Sequence, residues 1–316
     1  MSRPGEAATS ANPRVLRLAL SGPFGMQISR SATDFAAAVS KATNGRLRID
    51  VYSNGALGGE RETSEDLQTG ALDFAIASSA GYGAPSIVPK LGVFDIPFLF
   101  RDLNHARATL DGPIGTEALK SLAGSGVVGL GWAENGMRQI SSATKPVRSP
   151  ADLHGIKIRV PQTDAMVAGF RALGADAQPY SFVDLYAALA DGTFEAQENP
   201  LGVIRASNFD KVQKYLSVTS HVYSPAMFMV SERIFKSFSA EEQAILQSCA
   251  VTSGKVSRAF NDENEKGDLD ELRKRGMTVI TDIDRGAFAA EMNKARGQFE
   301  ATFGKDTLAA IENYKG

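Results

Sequence analysis

The first third of the chain repeats a short apolar strand followed by an amphipathic helix, and few folds accommodate that pattern. Residues 15–20 read as a strand, and Ser21, Gly22, Pro23, Phe24 and Gly25 as the turn after it. A helix follows over 27–43, with Ile28, Phe35, Ala38 and Val39 spaced for one buried face and Asn44-Gly45 as its stop. Residues 47–52 alternate as a second strand, 60–69 form a second helix stopped by Gly70, and 72–77 read as a third strand. Strand, helix, strand, helix, strand predicts parallel pairing through crossovers, hence an α/β fold. Ligands of such sheets bind beyond the carboxyl ends of the strands. The loops 21–24, 54–60 and 78–82 are therefore expected to form one wall of a crevice, with Ser21, Phe24, Glu60, Ser78 and Tyr82 as candidates. Gly-rich polar loops are also what ordinary turns look like. Glu60, at a helix start, suits the positive end of the helix dipole without any ligand.

A second feature lies in Asp152-Leu-His-Gly-Ile-Lys-Ile-Arg-Val-Pro161, where Ile156, Ile158 and Val160 alternate with Lys157 and Arg159 and Pro161 ends the ladder. An arginine at a strand end is held on a rigid element, and its planar fork fits a carboxylate with two hydrogen bonds. Arg159 is thus the expected carboxylate clamp. The competing reading is an exposed strand-end arginine paired with a surface acid. The strand and helix unit then repeats: helix 164–173, an extended piece at 177–179, helix 182–190, and a strand ending at Glu198-Asn199 before Pro200. Asn199 joins the crevice edge.

The remaining segments read as a helix over 104–122, strands over 127–132 and 135–141 with Arg138 in the second, strands over 215–219 and 226–230, and helices over 285–302 and 305–314. Residues 240–275 predict one long helix, interrupted near Gly254, able to cross two lobes. Gly124-Ser-Gly-Val-Val-Gly129 matches the dinucleotide fingerprint in letters only. Its glycines follow a helix and open a strand, whereas phosphate binding requires the reverse.

At 316 residues the chain exceeds a typical single domain, so two lobes are expected. A formal charge of −2 gives no broad electrostatic footprint for nucleic acid, and no nucleic-acid partner is expected. No run reaches the roughly 18 to 20 apolar residues of a membrane span. Cys249 is the only cysteine, so no intrachain disulfide forms, and a small buried hydrophobe is its expected role. Residues 1–13 read as a flexible polar leader without the apolar region of a secretory signal.

An enzyme needs an acid, base, nucleophile or metal set, and the chain offers only His105, His154 and His221, scattered and without ligand spacing. No catalytic residues, metal or cofactor are expected. A carboxylate-processing isomerase or lyase is the alternative, since a clamp arginine suits a substrate as well as a cargo. Among aromatic residues, Trp132, Phe182 and Tyr223 are candidates for the pocket wall. The core competes for each of them.

Taken in order, several segments resemble the extracytoplasmic substrate-binding subunits of tripartite ATP-independent periplasmic (TRAP) transporters, the DctP-like family. They are Tyr52-Ser-Asn-Gly-Ala-Leu-Gly-Gly-Glu-Arg61, Leu67-Gln-Thr-Gly-Ala-Leu-Asp73, Gly136-Met-Arg-Gln139, the Asp152 to Pro161 stretch, Ala172-Leu-Gly-Ala175, Tyr186-Ala-Ala-Leu189, Gln197-Glu-Asn-Pro-Leu201 and Val212-Gln-Lys-Tyr-Leu216. The resemblance implies a two-lobed periplasmic-binding-protein-like fold with a long helix crossing both lobes. It implies a monomer in the bacterial periplasm that closes on a small organic acid and delivers it to membrane subunits. It gives Arg159 the carboxylate, lets Arg138 and Asn199 assist, and puts Phe182 on the pocket wall. Lobe I is expected over 14–135 and 225–262, and lobe II over 136–224 and 263–316. Some sialic-acid binders of the family carry a further arginine after the third strand, where this chain reads Ser79-Ala-Gly-Tyr-Gly83, so sialic acid is not the expected cargo. Both candidate arginines fall in lobe II, while the lobe I loops offer no cation. A monocarboxylate with hydroxyls or a ring at its far end, such as a sugar acid, hydroxy acid or aryl acid, is expected over a C4 dicarboxylate. Arg61 or Lys90 entering the pocket would reverse that preference.

Overall fold

The computed structural model describes residues 9–78 and 87–316. Strand β1 (Arg14–Ala19), helix α1 (Gln27–Ala42), β2 (Leu47–Tyr52), helix α2 (Glu60–Thr69) and β3 (Phe74–Ser78) build the first lobe. β1 pairs parallel with β2 from Arg14↔Leu47 to Ala19↔Tyr52 and parallel with β3 at Leu18↔Phe74. Gly70, at φ 78°, caps α2 in the left-handed conformation that glycine adopts without steric cost. Phe35 of α1 packs on Phe74 of β3 and Phe228 of β8 (Tyr215–Ser231), with ring centroids 5.8 and 5.0 Å apart. That contact fixes α1 over the sheet and aims its first turn at the loops beyond the strand ends.

The second lobe repeats the logic with β5 (Lys157–Val160), β6 (Asp176–Pro179) and β7 (Ala196–Pro200). β5 pairs parallel with both β6 and β7. Its outer core gathers Leu185, Leu189, Phe194, Ile204, Phe209 and Leu272. With β4 (Val127–Ser142) and β9 (Thr278–Ile280), the described residues form one sheet in the order β2-β1-β3-β8-β4-β7-β5-β6, with β9 beside β8.

β4 and β8 join the lobes. The sequence predicts each as two short strands, but the structure has single strands of 16 and 17 residues running antiparallel to one another. Their register shifts at Gly129/Gly131, Glu134/Gly136 and Arg138/Ile140. These irregularities break the two-residue alternation that marks a continuous strand, which is why the sequence pattern divides them. Gly136, at φ 115°, sits at the middle shift.

A 35-residue helix, Ala240–Lys274, runs uninterrupted along β4, spanning roughly 52 Å at 1.5 Å per residue. Gly254 does not break it. A side chain there would overlap the Trp132 carbonyl, so the glycine lets helix and strand backbones touch. The helix predicted over 104–122 is instead two, Leu103–Asp111 and Pro113–Lys120. Pro113 lacks the N–H that would continue the first helix, and the Tyr314 phenol fills the space beside Gly112. No helix among the described residues is long and apolar enough to cross a membrane.

Candidate functional site

The carboxyl ends of β1, β3, β5 and β7 converge on one crevice, which contains about 500 Å³ of space not filled by atoms. From the first lobe come Leu20, Ser21, Gly22, Met26, Ile28, Ser29, Glu60, Ile76 and Ser78. The β4 junction and the second lobe supply Asn135, Arg138, Arg159, Pro161, Phe182, Asn199 and Val203.

Arg159 is only 4% exposed although it carries a charge, because β5 lies between β6 and β7 and points it inward. Its Nε donates to the Tyr180 carbonyl at 2.8 Å, and its guanidinium stands 6.0 Å from the Phe182 ring centroid. Among the described residues, no carboxylate oxygen lies within salt-bridge distance of it, and no acceptor meets its terminal nitrogens. Burial pulls the guanidinium down to about 10, with Glu198 and Glu60 opposing and the neighbouring Arg138 adding to the fall. The group stays charged at neutral pH and is one anion short.

Arg138 is in the opposite condition. Its Nε and Nη2 form a two-pronged pair with the Glu198 carboxylate, Nη2–Oε1 being 2.7 Å, and Nη2 also donates to Asn199 Oδ1 at 3.1 Å. Asn199 Nδ2 donates to Gln197 Oε1 at 2.6 Å, and Gln197 donates to Ser141 Oγ at 2.8 Å. Glu198 also accepts from His221 Nε2 at 3.0 Å, and His221 Nδ1 lies 2.7 Å from Thr219 Oγ1. This chain of buried bonds neutralises Arg138 and holds it beside Arg159.

Burial would raise the Glu198 carboxyl, but the Arg138 charge and the His221 hydrogen bond hold it below its ordinary value. Burial lowers His221, with Glu198 opposing and Arg138 and Arg285 assisting. Both groups therefore bind fewer protons folded than unfolded, so the stability they provide is complete above their ordinary values, 4.5 for Glu198 and 6.5 for His221, and is lost as pH falls through the lowered ones. Glu265 and Asp268, whose carboxyls burial pushes up, act in the opposite sense. A comparison between variants isolates the histidine. Between pH 7 and 5 the melting temperature of His221→Gln should fall less steeply than that of the unaltered protein; parallel slopes would remove His221 from the account.

On the facing wall, Glu60 Oε1 accepts from the Ser78 backbone N–H at 2.8 Å and from its hydroxyl at 2.9 Å. The first turn of α2 thus pins a carboxylate to the end of β3. Asn135 reaches the crevice from the β4 irregularity, with its Oδ1 3.2 Å from Gln27 Nε2 of α1.

Seven sequence candidates come together here: Ser21, Glu60, Ser78, Arg138, Arg159, Phe182 and Asn199. Three do not. Trp132 belongs to the core, its indole donating to the Gly115 carbonyl at 3.1 Å and its ring edge-on to Phe94. Tyr223 is 1% exposed and donates to Glu134 Oε2 at 3.0 Å, which anchors the lobe junction rather than the crevice. Phe24 is 56% exposed, carried outward by the turn after Pro23. Tyr82 lies outside the described residues. Sequence reading missed Asn135, Met26, Ile28 and Ser29. Its available signal for Asn135 was Gly136, since a glycine inside a strand marks a bulge that re-aims its neighbours.

Residues 25–302 match the family described as bacterial extracellular solute-binding protein, family 7 (DctP). The 2,3-diketo-L-gulonate-binding periplasmic protein YiaO of Escherichia coli (strain K12) is 34% identical, over 92% of this chain and 90% of that protein. A TRAP periplasmic solute binding protein from Polaromonas sp. JS666, bound to D-erythronate, superposes with a TM-score of 0.93 at 34% identity, covering 96% of this chain and 99% of that one. Another from Sulfurospirillum deleyianum, with bound succinate, gives 0.90 at 26% identity, covering 95% and 99%.

Proposed function

Because this chain belongs to the DctP family of extracellular solute-binding proteins, we propose that its crevice captures one small hydroxylated monocarboxylate, a sugar acid or hydroxy acid, for delivery to TRAP membrane subunits. The observation that carries the proposal is the buried Arg159, which lines the crevice and has no carboxylate partner among the described residues. A ligand carboxylate supplies the missing charge with matching two-pronged geometry. Arg138, already neutralised by Glu198, orients Asn199 and adds field rather than a second full charge.

The far wall supports the hydroxylated end. Glu60, Ser78, Ser21, Ser29 and Asn135 offer acceptors and donors for hydroxyl groups. A second carboxylate reaching Glu60 would meet a like charge in a desolvated space, which is costly. Neither cation able to reverse this preference lines the crevice. Arg61 pairs with Glu65 on the exposed side of α2 at 3.1 Å, and Lys90 borders a separate apolar groove. An aryl acid fits this polar wall less well than a polyol chain does. The succinate bound by the Sulfurospirillum deleyianum protein favours a second reading, a C4 dicarboxylate held with the same clamp.

Thermal-shift screening tests the first reading together with the enzyme alternative. D-erythronate and other sugar acids should raise the melting temperature, since a ligand at 100 times its Kd adds about 2.7 kcal/mol. Neutral sugars should have no effect, and the acid should be recovered unchanged. Stabilisation by sugars alone, or conversion of the acid, would overturn the proposal.

A further inference from the structure

Three consecutive residues of the second lobe, Ser181, Phe182 and Val183, each lie over a glycine of the first. A side chain at Gly55 would overlap Val183 Cγ1 and come within 3.3 Å of its Cβ. One at Gly59 would lie 3.3 Å from Ser181 Oγ, and one at Gly22 would lie 3.7 Å from Phe182 Cε1. The glycine side is braced: Asn54 N–H donates to the Gly22 carbonyl at 2.8 Å, Gly55 N–H to Leu20 at 3.1 Å, and Gly58 N–H to Gly55 at 2.9 Å. The opposing side is tied to the clamp. Tyr180, immediately before the triplet, donates its N–H to the Val160 carbonyl at 3.2 Å and accepts from Arg159 Nε at 2.8 Å. Val183 itself is 41% exposed and does not line the crevice.

Resting on the carboxylate reading above, we propose that residues 181–183 form a latch seated on Gly22, Gly55 and Gly59, and that Val183 sets the residence time of the bound acid without touching it. A carboxylate on the terminal nitrogens of Arg159 fixes the guanidinium. Its Nε already holds the Tyr180 carbonyl, so a fixed guanidinium keeps the triplet in register with the glycine seat. Occupancy of the clamp and closure of the mouth thus share one side chain, and whatever unseats Val183 speeds release.

Two arms test this. Val183→Asp alters an exposed side chain, so ligand-free melting should match the unaltered protein. The dissociation rate of the acid found by screening should rise at least tenfold with the association rate little changed. An unchanged dissociation rate would overturn the latch. The second arm needs no ligand. In a Cys249→Ala background, Gly55→Cys with Val183→Cys should cross-link fully under mild oxidation, because the Cβ separation is near the roughly 3.5–4.5 Å of a disulfide. The single Gly55→Cys variant reports whether the left-handed position tolerates the change. No cross-link in a folded double variant would refute the contact however the acid behaves. A cross-link in a protein that binds no acid would leave the contact standing and overturn its proposed role.

Discussion

Replacing Arg159 by lysine is expected to lower affinity for the acid by about 2–5 kcal/mol, the usual cost of spoiling one partner of a desolvated charge pair. By the affinity arithmetic this is roughly 30-fold to several thousand-fold. The charge survives the substitution, but an ammonium cannot reproduce two parallel hydrogen bonds, nor can it keep the Nε contact to Tyr180 while meeting a ligand. Stability should move the other way. Arg159 is buried with no carboxylate partner among the described residues, so Arg159→Met removes a charge that the fold carries at a desolvation cost. The methionine variant should lose binding and melt at or above the temperature of the unaltered protein. Calorimetry showing equal affinity for the lysine variant would take the clamp away from Arg159.

Glu198 should behave in the reverse manner. It is fully buried and answers Arg138 with a two-pronged pair, so Glu198→Gln strands a guanidinium beside a second one. Breaking a buried pair by removing one partner costs about 3–5 kcal/mol, a large share of a typical folding free energy. Replacing both members with apolar side chains, Arg138→Met with Glu198→Leu, should restore part of that stability because Arg138 no longer stands uncompensated, while His221 Nε2 and Arg159 still lose the same carboxylate. Denaturant unfolding distinguishes these outcomes. If Glu198→Gln unfolds at the same denaturant concentration as the unaltered protein, the pair does not hold the second lobe's site together.

The contrast between the two arginines was hidden from the sequence. Both stand on strands and both looked like anion ligands, but only the fold shows that Glu198 meets Arg138 and that Arg159 has no carboxylate partner among the described residues. What the sequence did reveal is local. The strand at 47–52 and the helix at 60–69 have those limits in the structure because the two-residue alternation and the Gly70 cap are properties of neighbouring residues. The strand-end positions of Arg159 and Asn199 were legible for the same reason, since Pro161 and Pro200 mark the strand ends that carry them. Trp132 and Tyr223 were misplaced because core and pocket recruit the same aromatic chemistry. Only their partners, the Gly115 carbonyl and the Glu134 carboxylate, separate the two roles. Gly254 looked like a break in a helix and is a point of backbone contact, which depends on a strand more than a hundred residues away in the chain.

Calorimetric titration of the unaltered protein with D-erythronate and longer sugar acids, in parallel with succinate and malate, tests the central claim most directly. Arg159, with no carboxylate partner among the described residues and with Glu60 across a polar crevice, predicts one-to-one binding of a hydroxylated monocarboxylate, with the dicarboxylates at least tenfold weaker, about 1.4 kcal/mol. Tight binding of succinate or malate with every monocarboxylate silent would contradict the account of the cargo, and would mean that Glu60 does not exclude a second carboxylate.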